Sequence, residues 1–190
     1  MEENIKLVKE FSHTPEILRN GVKAYQKKYV YSDMSIKIMI FLLISAIFVC
    51  GIVMDFFKSD KLELLAFLMS AACLAFAIME WFKPKKLRDS IVQSFIDEGN
   101  SPVYRLTVKE KEIEIAIVSE IVQEKSSEES ENDEYSDEIP EPSIISIDNN
   151  LSIIEEDKLF IIAYGKTVYY IIPKKDFSQK ELEIMRSIAK

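Results

Sequence analysis

The feature that most limits how this chain can fold is a pair of charge-free apolar blocks close together in its first half. The first runs from Ile38 to Met54 (IMIFLLISAIFVCGIVM) and is followed past Asp55 by Phe56 and Phe57. Seventeen residues at 1.5 Å rise cover roughly 26 Å, and the extension reaches the thickness of a bilayer core. Eleven Ile, Leu, Phe and Val residues lie in this block, each favouring insertion by roughly 0.3–0.6 kcal/mol. The second block, Leu64 to Met79, is diluted by alanine but flanked by Leu62, Trp81 and Phe82. A short connector, Lys58, Ser59, Asp60 and Lys61, joins the extended blocks, so the expectation is an antiparallel transmembrane hairpin with helices at about 38–57 and 62–82. A charged segment of more than thirty residues precedes the first block, which does not suit a cleaved signal peptide.

Lys23, Lys27, Lys28 and Lys37 flank the entrance to the hairpin, and Lys83, Lys85, Lys86 and Arg88 its exit, whereas the connector has only two lysines. The positive-inside rule therefore predicts a multi-pass protein of the cell membrane with both termini cytoplasmic. Tyr29, Tyr31 and Trp81 suit an interfacial aromatic belt. Ala66, Ser70, Cys73 and Ala77 form one small-residue stripe, and Ala46 and Cys50 a shorter pair. Such stripes let helices approach closely in lipid, either inside one hairpin or at a homo-oligomer seam. No ionisable residue lies deep in either block, which argues against an ion or proton pathway.

Net charge is −8, and it is local. Ser119 to Pro142 contains ten carboxylates and one lysine, so the rest of the chain is close to neutral. A nucleic-acid partner is not expected. The acidic stretch is expected to be a disordered loop, because it cannot bury enough apolar surface to order itself, and it lacks the glycine of a calcium loop.

Residues 1–35 read as an N-terminal arm. Ile5 to Phe11 is a possible strand, and Thr14-Pro15 opens a helix carrying Ile17, Leu18, Val22 and Tyr25 at helical spacing. Asn20-Gly21 weakens that helix, which could lie on the membrane surface or pack on the C-terminal domain. Residues 83–101 read as a juxtamembrane helix and linker, with Ile91, Val92, Phe95 and Ile96 as its apolar stripe and Gly99 as its stop. Over 102–190 the period changes to two, and five or six short strands follow. Ser178 and Glu181 make a capping box, flanked by Phe177 and Leu182 as a hydrophobic staple. Leu182, Met185 and Ile188 then face the sheet. The fold class is α+β: a transmembrane hairpin plus a small antiparallel β-domain closed by a C-terminal helix. The stretch from about Leu87 onward is expected to fold alone.

The basic arm, the hairpin and a β-rich domain ending in YYIIPKKDF (Tyr169 to Phe177) and a short helix resemble the YcxB-like family of bacterial membrane proteins. Leu151 to Glu155 and Leu159 to Tyr164 carry the same resemblance, which implies a pleckstrin-homology-like domain and no catalysis. The long acidic insertion departs from that pattern.

Catalytic chemistry finds little purchase here. His13 is the sole histidine, the four glycines make no phosphate loop, and Cys50 and Cys73 lie inside the apolar blocks. No enzyme activity, cofactor or metal site is expected. The expected role is a membrane-anchored interaction module. It would bind a protein or a lipid headgroup at the inner leaflet, with Lys166, Lys174 and Lys175 as candidate contacts. The alternative is a small membrane effector, such as an immunity or stress-response protein, acting through the hairpin.

Overall fold

The computed structural model describes residues 4–57, 59–99, 101–121, 141–165 and 167–188. Most of the acidic stretch, 122–140, lies outside them. The chain divides into two compact units, Met1–Val22 with Ile91–Lys190, and Lys23–Ser90.

The first unit is α+β. Strands β1 (Leu7–Ser12), β2 (Ser101–Val108), β3 (Glu112–Ile121) and β4 (Ser143–Ser146) form one antiparallel sheet in sequence order. β5 (Leu151–Glu155), β6 (Leu159–Tyr164) and β7 (Val168–Pro173) form a second. The arm's strand is thus part of the sheet: Leu7 pairs with Val108 and Phe11 with Tyr104. Among the described residues six strands lie within 101–173, as expected, and β1 of the arm makes a seventh. The acidic stretch begins later than composition suggests, because β3 carries Ser119 to Ile121 in register with β2.

Alternation explains the core. Leu7 and Phe11 from β1, Leu106 and Val108 from β2, and Ile113 and Ile115 from β3 turn the same way. They meet Phe160, Ile162, Ile172 and Met185, each fully buried. β6 is buried along almost its whole length, so both of its faces are covered. The first turns of helix α1 (Pro15–Tyr29) approach Ile171 of β7, the partner of Ile161 in β6. A Cβ built on Gly21 would sit 2.5 Å from Ile171 Cδ1, so only glycine admits this approach. Asn20-Gly21 is therefore a packing site. Lys158 pairs with Glu16 at 3.2 Å, and His13 Nε2 donates to the Ile171 carbonyl at 2.7 Å. The opening of the arm packs on the β-domain.

Helix α4 (Gln179–Ile188) closes the core with Met185, while Leu182, Ile184 and Ile188 pack beside it. The capping box is present: the Ser178 N–H donates to Glu181 at 2.6 Å, and the Glu181 N–H to Ser178 Oγ at 3.4 Å. The backbone N–H of Ser178, and after it the Ser178 side chain, hold the Glu181 carboxyl below its ordinary range. Phe177 packs against the core, its ring centroid 6.2 Å from that of Phe160.

The second unit is a helical hairpin. Helix α2 spans Tyr31–Val53 and α3 spans Asp60–Glu98; both are long and apolar enough to cross a membrane. Two expectations need correction. First, α2 stops at Val53. Asp55 takes a left-handed conformation (φ 52°) and the Phe56 N–H donates to the Gly51 carbonyl at 3.0 Å, a Schellman-type end. Phe57 folds back against Gly51 instead of continuing the helix. The 23 residues of α2 still span roughly 35 Å, because it starts earlier, at Tyr31. Second, the juxtamembrane helix expected within 83–101 is not separate from the second apolar helix. α3 runs unbroken through Pro84 until Gly99, whose φ of 65° ends it. Proline removes one N–H from the ladder, and the good helix formers Lys85 to Arg88 carry the helix on. Beyond it Ile91, Val92 and Phe95 are at least half-buried, whereas Ile96 is exposed.

The seam of the hairpin follows intervals of four and three. On α2 the less exposed residues are Met34, Ile38, Phe41, Ser45 and Phe48; on α3 they are Ala66, Ser70, Cys73, Ala77, Glu80 and Pro84. That 3.5-residue repeat sets large side chains against small ones. Ser45 and Ser70 Oγ meet at 2.8 Å in the middle of the seam. The stripe of Ala66, Ser70, Cys73 and Ala77 is buried within this one chain. Ala46 and Cys50, expected to do the same on α2, are exposed, and Ser45 takes that place. Only 6% of the apolar stretch of α2 and 22% of that of α3 is buried.

Candidate binding site

The three lysines singled out as headgroup contacts do not form a cluster. Lys166 lies outside the described residues. Lys174 is half-buried at the end of β7, and its ammonium is engaged. It donates to Glu155 Oε1 at 2.8 Å and to the Glu156 carbonyl at 2.5 Å, and stands 4.4 Å from the Phe160 ring centroid. Arg186 of α4 adds a bidentate grip on Glu155, with Nε 3.0 Å from Oε2 and Nη2 2.7 Å from Oε1. The guanidinium first, and then Lys174, hold the Glu155 carboxyl down at about 2. The cluster ties β5, β7 and α4 together at the domain surface.

Lys175 is exposed and borders a cavity of about 200 Å³ between the start of the arm and the β7–α4 turn. Lys9, Glu10, Thr14, Asp176 and Phe177 also line it. Lys9 donates to the Asp176 carbonyl and lies 3.6 Å from Glu181. Acidic and basic groups alternate around this cavity, so it offers no field that favours an anion.

His13 is held among aromatic rings, its centroid 5.5 Å from Phe11 and 5.0 Å from Tyr104. Burial lowers its pKa below the ordinary 6.5, against the raising effect of the bond to Ile171. The imidazole is a neutral structural donor, and no group of three or more potential metal ligands occurs among the described residues.

A larger cleft lies inside the second unit, where the end of α1 meets the start of α2 and the middle of α3. It encloses about 460 Å³ and is lined by Gln26, Tyr29, Val30, Asp33, Met34, Lys37, Glu80, Lys83, Pro84 and Leu87. Gln26 is 2% exposed, and its Nε2 donates to the Pro84 carbonyl at 2.8 Å. Its Oε1 is buried with no partner, a state that costs about 1–3 kcal/mol when nothing binds there. Lys83 pairs with Glu80 one turn away. Asp33 and Lys37 follow each other by one turn of α2 and both line the cleft.

Sequence reasoning passed over Gln26, Asp33 and Pro84. Pro84 gave no signal for this contact: it frees the Glu80 carbonyl one turn earlier, whereas Gln26 donates to the carbonyl of Pro84 itself. Compared with known proteins, the chain matches no family model, no curated protein and no solved structure.

Proposed function

We propose that this chain is a multi-pass membrane protein with both termini in the cytoplasm, and that its α+β domain is an interaction module held at the inner leaflet. One observation carries this reading. The hairpin is inserted between β1 and β2, which are hydrogen-bonded neighbours in one sheet. Both chain connections of the hairpin therefore lead into the same sheet. A module whose task is to present a surface beside a bilayer gains from two such tethers, since they limit its reorientation and raise its effective concentration there.

Further support comes from the apolar exterior of α2 and α3. Residues such as Met39, Leu43, Ile47, Phe67 and Trp81 are more than half exposed, an extent of apolar surface that water does not tolerate. The basic residues at one end of the hairpin favour the cytoplasmic side for both termini. The seven strands among the described residues, in sheets of four and three with a closing helix, support reading the domain as pleckstrin-homology-like and the layout as YcxB-like. The proposed role is binding of a protein partner without catalysis.

A chain with Cys50 and Cys73 replaced by alanine and cysteine introduced at Ser59 is expected to react with a membrane-impermeant thiol reagent in intact cells. One with cysteine at Ser187 is not. The reverse pattern would overturn the orientation. Proximity labelling should then give a protein signal that disappears when the chain is truncated after Arg88; a signal that persists would place the interaction on the hairpin.

A further inference from the structure

We propose that the cleft at the base of the hairpin binds the headgroup of phosphatidylethanolamine. The inference rests on the hairpin lying in a bilayer, and the argument begins with depth. Lys37 stands one residue before the apolar block of α2, and Glu80 one residue after that of α3. The cleft between them opens where a spanning hairpin meets lipid headgroups. Its walls are mostly apolar, from Val30, Met34, Pro84 and Leu87, which suits the glycerol and first methylenes of a lipid.

The polar groups define the head. Gln26 Oε1 is a buried acceptor that needs a donor. Asp33 adds a carboxylate and Lys37 an ammonium at the same cleft. Lys83 is already neutralised by Glu80, so the cleft has no excess of positive charge to favour an anionic lipid. The complement is a zwitterion whose cationic end carries N–H donors. Ethanolamine phosphate meets this description: its ammonium donates to Gln26 Oε1 and Asp33, and its phosphate accepts from Lys37. Choline has the same charge and nearly the same shape, but no N–H. It would leave the buried Gln26 oxygen unpaired, and that difference sets the selectivity.

Native mass spectrometry of the full chain in detergent, titrated with ethanolamine, choline and glycerol phospholipids of identical acyl chains, tests this. Phosphatidylethanolamine should bind about five- to tenfold tighter than phosphatidylcholine, the scale of one or two hydrogen bonds. Asp33→Asn should reduce that preference, because Asp33 faces the ammonium, whereas Lys37→Gln should weaken the ethanolamine and choline lipids alike, because both carry the phosphate. Both substitutions are at exposed positions. Equal binding of the ethanolamine and choline lipids would overturn the proposal, as would a preference for phosphatidylglycerol or one untouched by Asp33→Asn. Free phosphoethanolamine should not compete at matched concentration; if it does, the ligand is a soluble phosphate ester and the lipid assignment fails. Cysteine mapping at Ser59 reads the membrane placement separately, so loss of headgroup selectivity and loss of the hairpin's topology are distinct results.

Discussion

Phe160 and Phe67 meet opposite surroundings in one chain. In the β-domain Phe160 is fully buried, ringed by side chains from both sheets and α4. In the hairpin Phe67 is 62% exposed, while the residues turned inward are Ala66, Ser70, Cys73 and Ala77. The β-domain follows the rule of water, with large apolar groups inside. Helix α3 inverts it, with small groups inside and large ones outside, the pattern that close packing in the proposed bilayer setting favours. The difference lies in which neighbours each segment must exclude, since both are rich in Ile, Leu and Phe.

The largest test of that contrast removes β1. A chain beginning at Pro15 loses Leu7 and Phe11 from the core and the pairing partner of β2. Cooperative unfolding of the β-domain should be abolished, while the hairpin still inserts into membranes. By the same reasoning, the stretch from about Leu87 onward should not fold alone. Joining residues 4–22 to 91–188 through a flexible linker should restore a cooperative transition by circular dichroism. Phe160→Ala comes next, with an expected cost of about 3–5 kcal/mol. Phe67→Ala should change hairpin stability by no more than about 0.5 kcal/mol. Comparable losses at the two positions would mean that the outer face of α3 is covered by protein.

The parts legible in the sequence are those set by near neighbours. Charge-free runs announce the two apolar helices without reference to anything else. Ser178 and Glu181 lie three residues apart, so their mutual caps could be read directly, as could Gly99 as a helix stop. What escaped depended on distant partners. β1 pairs with a strand about ninety residues away, across the entire hairpin. Gly21 looked like a flaw in a helix until Ile171 was brought against it. Lys174 looked free because Glu155 and Arg186, which engage and surround it, come from other elements. Gln26 resembled any polar residue on an amphipathic helix, and only the fold shows it buried under an unanswered acceptor.

Smaller effects sharpen the contrast within the β-domain. Gly21→Ala gains up to about 1 kcal/mol of helix propensity but forces a methyl group onto Ile171, where overpacking costs about 1–3 kcal/mol. Net destabilisation is expected, and Ile171→Ala should cost less in the Gly21→Ala background than alone, as a double-mutant cycle in denaturant would show. Lowering the pH should act through His13 first. Its folded pKa lies below 6.5, so the unfolded chain takes up the proton first. Stability is therefore constant above about 6.5 and declines as pH falls below it. His13→Gln should remove that decline. Glu155 acts lower: its carboxyl is held at about 2, so its contribution is present above the ordinary carboxylate range and fades as pH falls toward 2.

An effect of similar size to that of Phe67→Ala concerns a polar pair in the hairpin seam. Ser45 and Ser70 are buried at 4% and 5% exposure, and each hydroxyl also lies within reach of the other helix's backbone. In hydrocarbon such a bond might be expected to dominate, yet the separated helices satisfy their own hydroxyls by bonding back to the preceding turn. The net value of an interhelical bond in lipid is therefore about 0.6 kcal/mol. Ser45→Ala and Ser70→Ala should each cost that much, and the double variant little more, because removing one partner already breaks the pair. Ser45→Leu should cost several times more, since Ala66, Cys73 and Ala77 leave no room for a branched side chain. A steric-trap or denaturing-detergent titration of the full chain separates the two effects. If Ser45→Ala proves as damaging as Ser45→Leu, the hairpin is held by its hydrogen bond and not by the fit of large side chains against small ones.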